Sequence, residues 1–89
     1  MEESLPFEEQ WINETQSIRK FSPLVQDDEL KWHIDNEDRI IVPLEENDWN
    51  FQFDNELPIK IDAEIRIKKD TWHRLIKGES DLILKITRF

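Results

Sequence analysis

The chain contains no cysteine and a single glycine, Gly78, in 89 residues. Without thiols there is neither a disulfide scaffold nor a cysteine zinc site, so packing must hold the fold, alone or with a second chain. There is no Gly-rich phosphate loop, no nucleophile elbow and no HExxH pair. No apolar run approaches the ~20 residues that a bilayer-spanning helix needs, and the acidic start Met1-Glu2-Glu3 lacks the positive region and apolar core of a secretory signal. A cytoplasmic protein that does not bind membranes is expected. Basic residues are scarce early on: residues 1 to 56 carry 16 Asp and Glu against 4 Lys and Arg, whereas residues 57 to 89 carry 5 against 8. At a net charge of −9 the surface repels a phosphate backbone, which argues against nucleic-acid binding.

What the chain does have is enough apolar material for one small core: Trp11, Trp32, Trp49 and Trp72, five Phe, and many Ile and Leu. No internal repeat or low-complexity linker divides it. Residues 2 to 18, with apolar Leu5, Trp11 and Ile18, show only a weak pattern, consistent with an extended arm, a short helical turn or both. After Pro23 and the loop at Asp27-Asp28, Glu29 to Ile34 predicts a strand in which Leu30, Trp32 and Ile34 alternate with Lys31, His33 and Asp35. Further strands are predicted over 38–45, 49–54, 59–61, 64–68, 72–76 and 82–86. The last two read as a hairpin through Lys77-Gly78-Glu79-Ser80, with Gly78 at positive φ. Seven or so short strands with turns every eight to ten residues point to a sandwich or barrel.

His33-Ile34-Asp35, followed 40 residues later by His73 in the run Ile67-Lys68-Lys69-Asp70-Thr71-Trp72-His73, resembles the two-part signature of the cupins. The resemblance covers about Leu30 to Ile86. It implies an all-β, cupin-like jelly-roll barrel (double-stranded β-helix) over residues 26–89, preceded by an N-terminal arm over residues 1–25 within a single domain. His33 falls on the family's first histidine, Asp35 on its second, Arg39 on its glutamate and His73 on its last histidine. Asp62, Lys68 and Asp70 stand where the second motif usually has Gly, Pro and Gly; Asp tolerates turn conformations, so Asp70 is the mildest departure. The first motif paired with His73 is also similar to the iron and 2-oxoglutarate oxygenases. Those are much longer chains with an Arg or Lys anchor, for which only Arg74 and Arg88 are available here.

Independently of any family, a period of two places His33 and Asp35 on one strand face. Two imidazoles and a carboxylate, once His73 joins them, form the facial ligand set of a divalent transition metal such as iron, manganese, zinc or nickel, with positions left open. Arg39 brings a fixed positive charge beside that set and would pair with Asp35 or Asp38, leaving a polar pocket that suits an anionic small molecule. Gln52 and Asp54, opposite the stripe Trp49, Phe51 and Phe53, are candidates to line the same ligand pocket, and the stripe itself reads as core. Trp32 and Trp72, beside the histidines, are expected to face outward and to favour a homodimer. Three functions stay open: a small-molecule or metal-dependent cupin-like enzyme, a non-catalytic ligand-binding or scaffolding barrel, and an acidic DNA mimic.

Overall fold

Alternation of inward apolar and outward polar side chains organises the computed structural model of the chain, which describes residues 7–24 and 30–89. Eight strands form: β1 (Phe7–Trp11), β2 (Gln16–Phe21), β3 (Arg39–Pro43), β4 (Asn50–Phe53), β5 (Ile59–Lys60), β6 (Ile65–Ile67), β7 (His73–Ile76) and β8 (Leu82–Arg88). There is no α-helix among the described residues. The strands make two antiparallel sheets, one in the order β1-β2-β8-β3-β6 and one in the order β5-β4-β7. In β8 the even residues Leu82, Leu84 and Ile86 are buried while Ile83, Lys85 and Thr87 are not. This longest strand sits at the centre of the larger sheet, where its apolar face is covered from both sides. Phe21, Ile41, Ile65 and Ile67 extend that inner face; Trp49, Phe51 and Ile61 meet it from the other side to complete one core. The result is the face-to-face arrangement of an all-β jelly roll.

The strands expected over residues 38–45, 49–54, 59–61, 64–68 and 72–76 are present as β3 to β7 with trimmed ends, and the last runs on to Arg88 as β8. The strand expected from Glu29 to Ile34 is not formed over its described part. Residue 29 and the loop at Asp27-Asp28 lie outside the described residues, and after Leu30 the chain makes only an isolated bridge, His33 to His73. Leu30 is buried whereas Trp32 and Ile34 are 38% and 44% exposed, so the alternating apolar residues do not share a face. A segment crossing the end of the barrel has no neighbouring strand to enforce one. The expected last hairpin is also overturned: β7 pairs with β4 in the small sheet, while both edges of β8 are taken by β2 and β3.

Gly78 accordingly is not at positive φ; Asn55 and Asp70 are, at 62° and 61°. What Gly78 supplies is space, because a Cβ there would lie 2.7 Å from the backbone oxygen of Asp48 and collide with its carboxylate. That carboxylate accepts hydrogen bonds from the amides of Glu79 (2.8 Å) and Ser80 (3.0 Å) and from the Ser80 hydroxyl (2.8 Å). It ties the β3–β4 connection to the β7–β8 connection. These are two of the four connections at which the chain passes between sheets.

Within the segment expected to be an arm, residues 7–21 form the β1–β2 hairpin, and β2 pairs with β8 from Gln16 to Phe21. Asn13 shapes its turn by accepting from the amides of Thr15 and Gln16, both at 2.9 Å. On the inner face, Glu9 Oε2 accepts from Ser17 Oγ (2.7 Å), from Arg19 NH2 (2.8 Å) and from Arg88 NH2 (3.0 Å), joining β1, β2 and β8. Burial works to raise the Glu9 pKa, but these bonds outweigh it and hold the carboxyl below its usual range. Arg19 and Arg88 also lie over the rings of Phe7 and Trp11, at 3.9 and 4.4 Å.

Two outcomes are expected. Glu9→Ala leaves Ser17, Arg19 and Arg88 without their shared acceptor and lowers the urea-unfolding free energy by about 3 kcal/mol. Asp48→Ala releases the loop clamp and lowers Tm by about 5 °C at neutral pH. The bonds from Ser80 and Glu79 depress the Asp48 pKa to about 2 from the ordinary 3.8. The parent's advantage over this variant is therefore full above pH 3.8 and disappears as pH falls through about 2, a window that acid melts will show.

Candidate functional site

His73 opens β7, and the register of β7 with β4 places it opposite Phe53, with Leu75 opposite Phe51. All four face the interior, and the His73 ring stacks on Phe51 at 5.4 Å. Across the barrel end, His33 and His73 exchange both backbone hydrogen bonds at 3.0 Å. This bridge brings the two imidazoles to a centroid distance of 4.3 Å. Asp35, two residues on, is fixed by its own carbonyl, which accepts from the Asp70 amide at 2.8 Å. Here the positive φ of Asp70 matters, since it turns that amide towards the crossing segment. One ligand atom from each of His33, Asp35 and His73 lies within 4.8 Å of the others, so the structure brings together all three residues singled out as metal ligands. His33 is exposed, whereas His73 is buried.

Arg39, at the start of β3, spans Asp35 Oδ1 at 3.3 Å and Glu37 Oε1 at 3.2 Å. The anticipated pairing with Asp35 is present. Asp38 turns elsewhere and accepts from the Lys69 amide at 2.9 Å. Because Arg39 takes Oδ1, the other oxygen, Oδ2, points to His73 Nε2 at 3.3 Å. Burial acts to raise the Asp35 pKa, but a hydrogen bond from His73 in its protonated form, the charge of Arg39 and the charges of the two imidazoles when protonated outweigh it and hold the carboxyl below its usual range.

The tautomers follow from the backbone. Nδ1 of His33 is 2.8 Å from the carbonyl oxygen of Lys31, and Nδ1 of His73 is 2.8 Å from that of Thr71. A carbonyl can only accept, so each Nδ1 carries the hydrogen and each neutral ring leaves a lone pair on Nε2. With His73 neutral, the carboxylate oxygen Asp35 Oδ2 faces a nitrogen lone pair at 3.3 Å and, though buried, is left without a hydrogen-bond partner. Only a positive centre relieves that opposition: a proton on His73 or a metal ion. The donor set and the orphaned oxygen both fit a divalent cation.

The site opens on a cavity of about 300 Å³. Phe21, Ile41, Phe51 and Leu84 form its apolar wall, and His33, Asp35, His73, Arg19 and Arg39 its polar end. Trp32 lines the cavity as well, with Arg74 over its ring at 4.7 Å, so it does not turn away as expected. Trp72, by contrast, is half exposed. Gln52 and Asp54 do not line the cavity. Gln52 accepts from Arg74 Nε at 2.9 Å and donates to the Glu56 carbonyl at 2.9 Å on the other face of β4, and Asp54 is exposed. The reason is that the aromatic stripe and His73 share one face, so the polar residues of β4 face away. Arg19 and Glu37 escaped the sequence reading. The one available signal for Arg19 was its parity with Phe21, now seen to face inward.

No protein-family model matches the chain, and no curated protein matches it in sequence. Among the solved structures that match it in fold are two small proteins. A crystal structure of a protein from Neisseria meningitidis superposes with a TM-score of 0.61 at 16% identity, covering 100% of this chain and 88% of that one. A cupin domain from Bordetella pertussis gives 0.57 at 14% identity, covering 93% and 91%. With two antiparallel sheets, no α-helix among the described residues and these neighbours, the chain has the fold of a small cupin-like domain.

Proposed function

We propose that this domain binds a divalent transition metal through His33, Asp35 and His73 and receives a small molecule in the adjoining cavity. The observation that carries this reading is the buried, unpartnered Asp35 Oδ2 lying 3.3 Å from His73 Nε2 within a cluster that also includes His33. When bound, a metal with only three protein ligands supplies Lewis acidity and open positions for a substrate. The protein's part is preparation. The carbonyls of Lys31 and Thr71 hold both rings in the ligating tautomer, Arg39 fixes the carboxylate by its other oxygen, and the apolar wall keeps water from most of the cavity. Iron, manganese, zinc and nickel all suit this mixed nitrogen and oxygen set.

Arg39 weakens metal affinity, because its charge is fixed at any ordinary pH and lies 3.3 Å from the ligating carboxylate. Calorimetric titration with manganese is expected to show one ion bound by the parent, none by His73→Ala, and at least tenfold tighter binding by Arg39→Glu. Indistinguishable behaviour of the three proteins overturns the metal reading and favours a polar core satisfied by a proton on His73.

The homodimer proposal now rests on Trp72, 51% exposed beside the site. Sedimentation of the parent should give a dimer and Trp72→Ser a monomer; a monomeric parent refutes it.

A further inference from the structure

We infer, building on the metal reading, that the small molecule is a carboxylate with an apolar body of about one ring, and that it and the metal bind cooperatively. The observation behind this is the charge balance at the polar end of the barrel. Asp35 and Glu37 pair with Arg39 at 3.3 and 3.2 Å; Glu37 is 3.9 Å from Arg88; Glu9 pairs with Arg88 at 3.0 Å and with Arg19 at 2.8 Å. Three carboxylates meet three guanidinium groups, and none of these side chains is more than 23% exposed. With neutral imidazoles the group carries no net charge, so a divalent ion at His33, Asp35 and His73 adds two positive charges that no protein group offsets. Burying net charge is strongly unfavourable. A carboxylate that enters with the ligand offsets half of that charge.

The cavity is built to take it. Arg19 and Arg39 both line the polar end, and Arg39 has a buried Nε with no acceptor of its own. Burial above all, with smaller contributions from the charges of Arg39 and Arg88, depresses the Arg19 pKa despite its bonds to Glu9. A guanidinium donor and an open metal position suit the two oxygens of a carboxylate. Beyond them the wall is Phe21, Ile41, Phe51 and Leu84, which calls for an apolar remainder. A volume of about 300 Å³ lies at the lower end of small-molecule sites and limits that remainder to about a single ring.

Titrations with manganese chloride in the presence of benzoate or of benzyl alcohol, its uncharged analogue, test the inference. Saturating benzoate is expected to raise manganese affinity at least tenfold, manganese to raise benzoate affinity by the same factor, and benzyl alcohol to change neither by more than about twofold. Arg39→Gln and, separately, Arg19→Gln should reduce the benzoate effect, with circular-dichroism melts showing that each variant is folded. Arg39→Glu, which carries its own negative charge into the site, should bind manganese without any help from benzoate. If manganese binds the parent but benzoate acts no differently from benzyl alcohol, the carboxylate inference is overturned and the metal reading stands. If manganese fails to bind with or without benzoate, the metal reading itself falls. Benzoate binding that ignores manganese overturns the coupling.

Discussion

From Asp35 to Arg19 six charged side chains alternate in sign across the end of the barrel, and the position of almost every functional group can be traced to that sequence of ion pairs. Its members come from β1, β2, β3, β8 and the segment between β2 and β3. No one sheet face could satisfy it alone. Removing any single partner would strand its neighbour in a poorly hydrated place, so the pairs act together to fix how the hairpin and the crossing segment seat on the larger sheet. The same pairs orient the site. Arg39 is held by two carboxylates at once and so presents Asp35 with one oxygen engaged and the other bare.

The inner face of the larger sheet is thus divided along its strands. In β8, Leu82, Leu84 and Ile86 face the core and Arg88, next on the same side, enters the ionic end. In β2, Phe21 belongs to the core while Arg19 and Ser17 belong to the polar network. A cavity at this boundary has an apolar wall and a charged end by construction. Asp48 does complementary work by tying two of the four inter-sheet connections together, β3–β4 and β7–β8.

Regular alternation made β4 legible and short apolar runs between turns made β3 and β8 so, and the His33-x-Asp35 spacing with a distant His73 was enough to name the triad that the fold assembles. The failures have physical reasons. Alternation gives parity but not which side is inside, and at β4 the choice between Phe51 and Gln52 as neighbours of His73 went the wrong way. In β1 and β2 the inward positions include Glu9, Ser17 and Arg19, so the hairpin has no apolar stripe to read. At Glu29 to Ile34 the pattern was present, but a strand requires a partner along its length and this segment has one only at His33. For Gly78 the need was for room beside Asp48, a contact between residues 30 apart in sequence that no local rule could supply.

Arg39 connects these points on the proposed reading of the site. A glutamate in its place would remove one positive charge and add a negative one, leaving the polar end at minus two, matched to a divalent ion but repulsive without it. With Arg39 the end is neutral when empty, so folding is not obliged to wait for a metal. Loading can follow folding, and its path is set by burial. His33 is exposed while Asp35 and His73 lie beneath it, so an arriving ion meets His33 first and completes its coordination inward. The protein that results is one in which metal and anion strengthen each other's binding, because the charge that would have held the metal more tightly has been replaced by one that holds the anion.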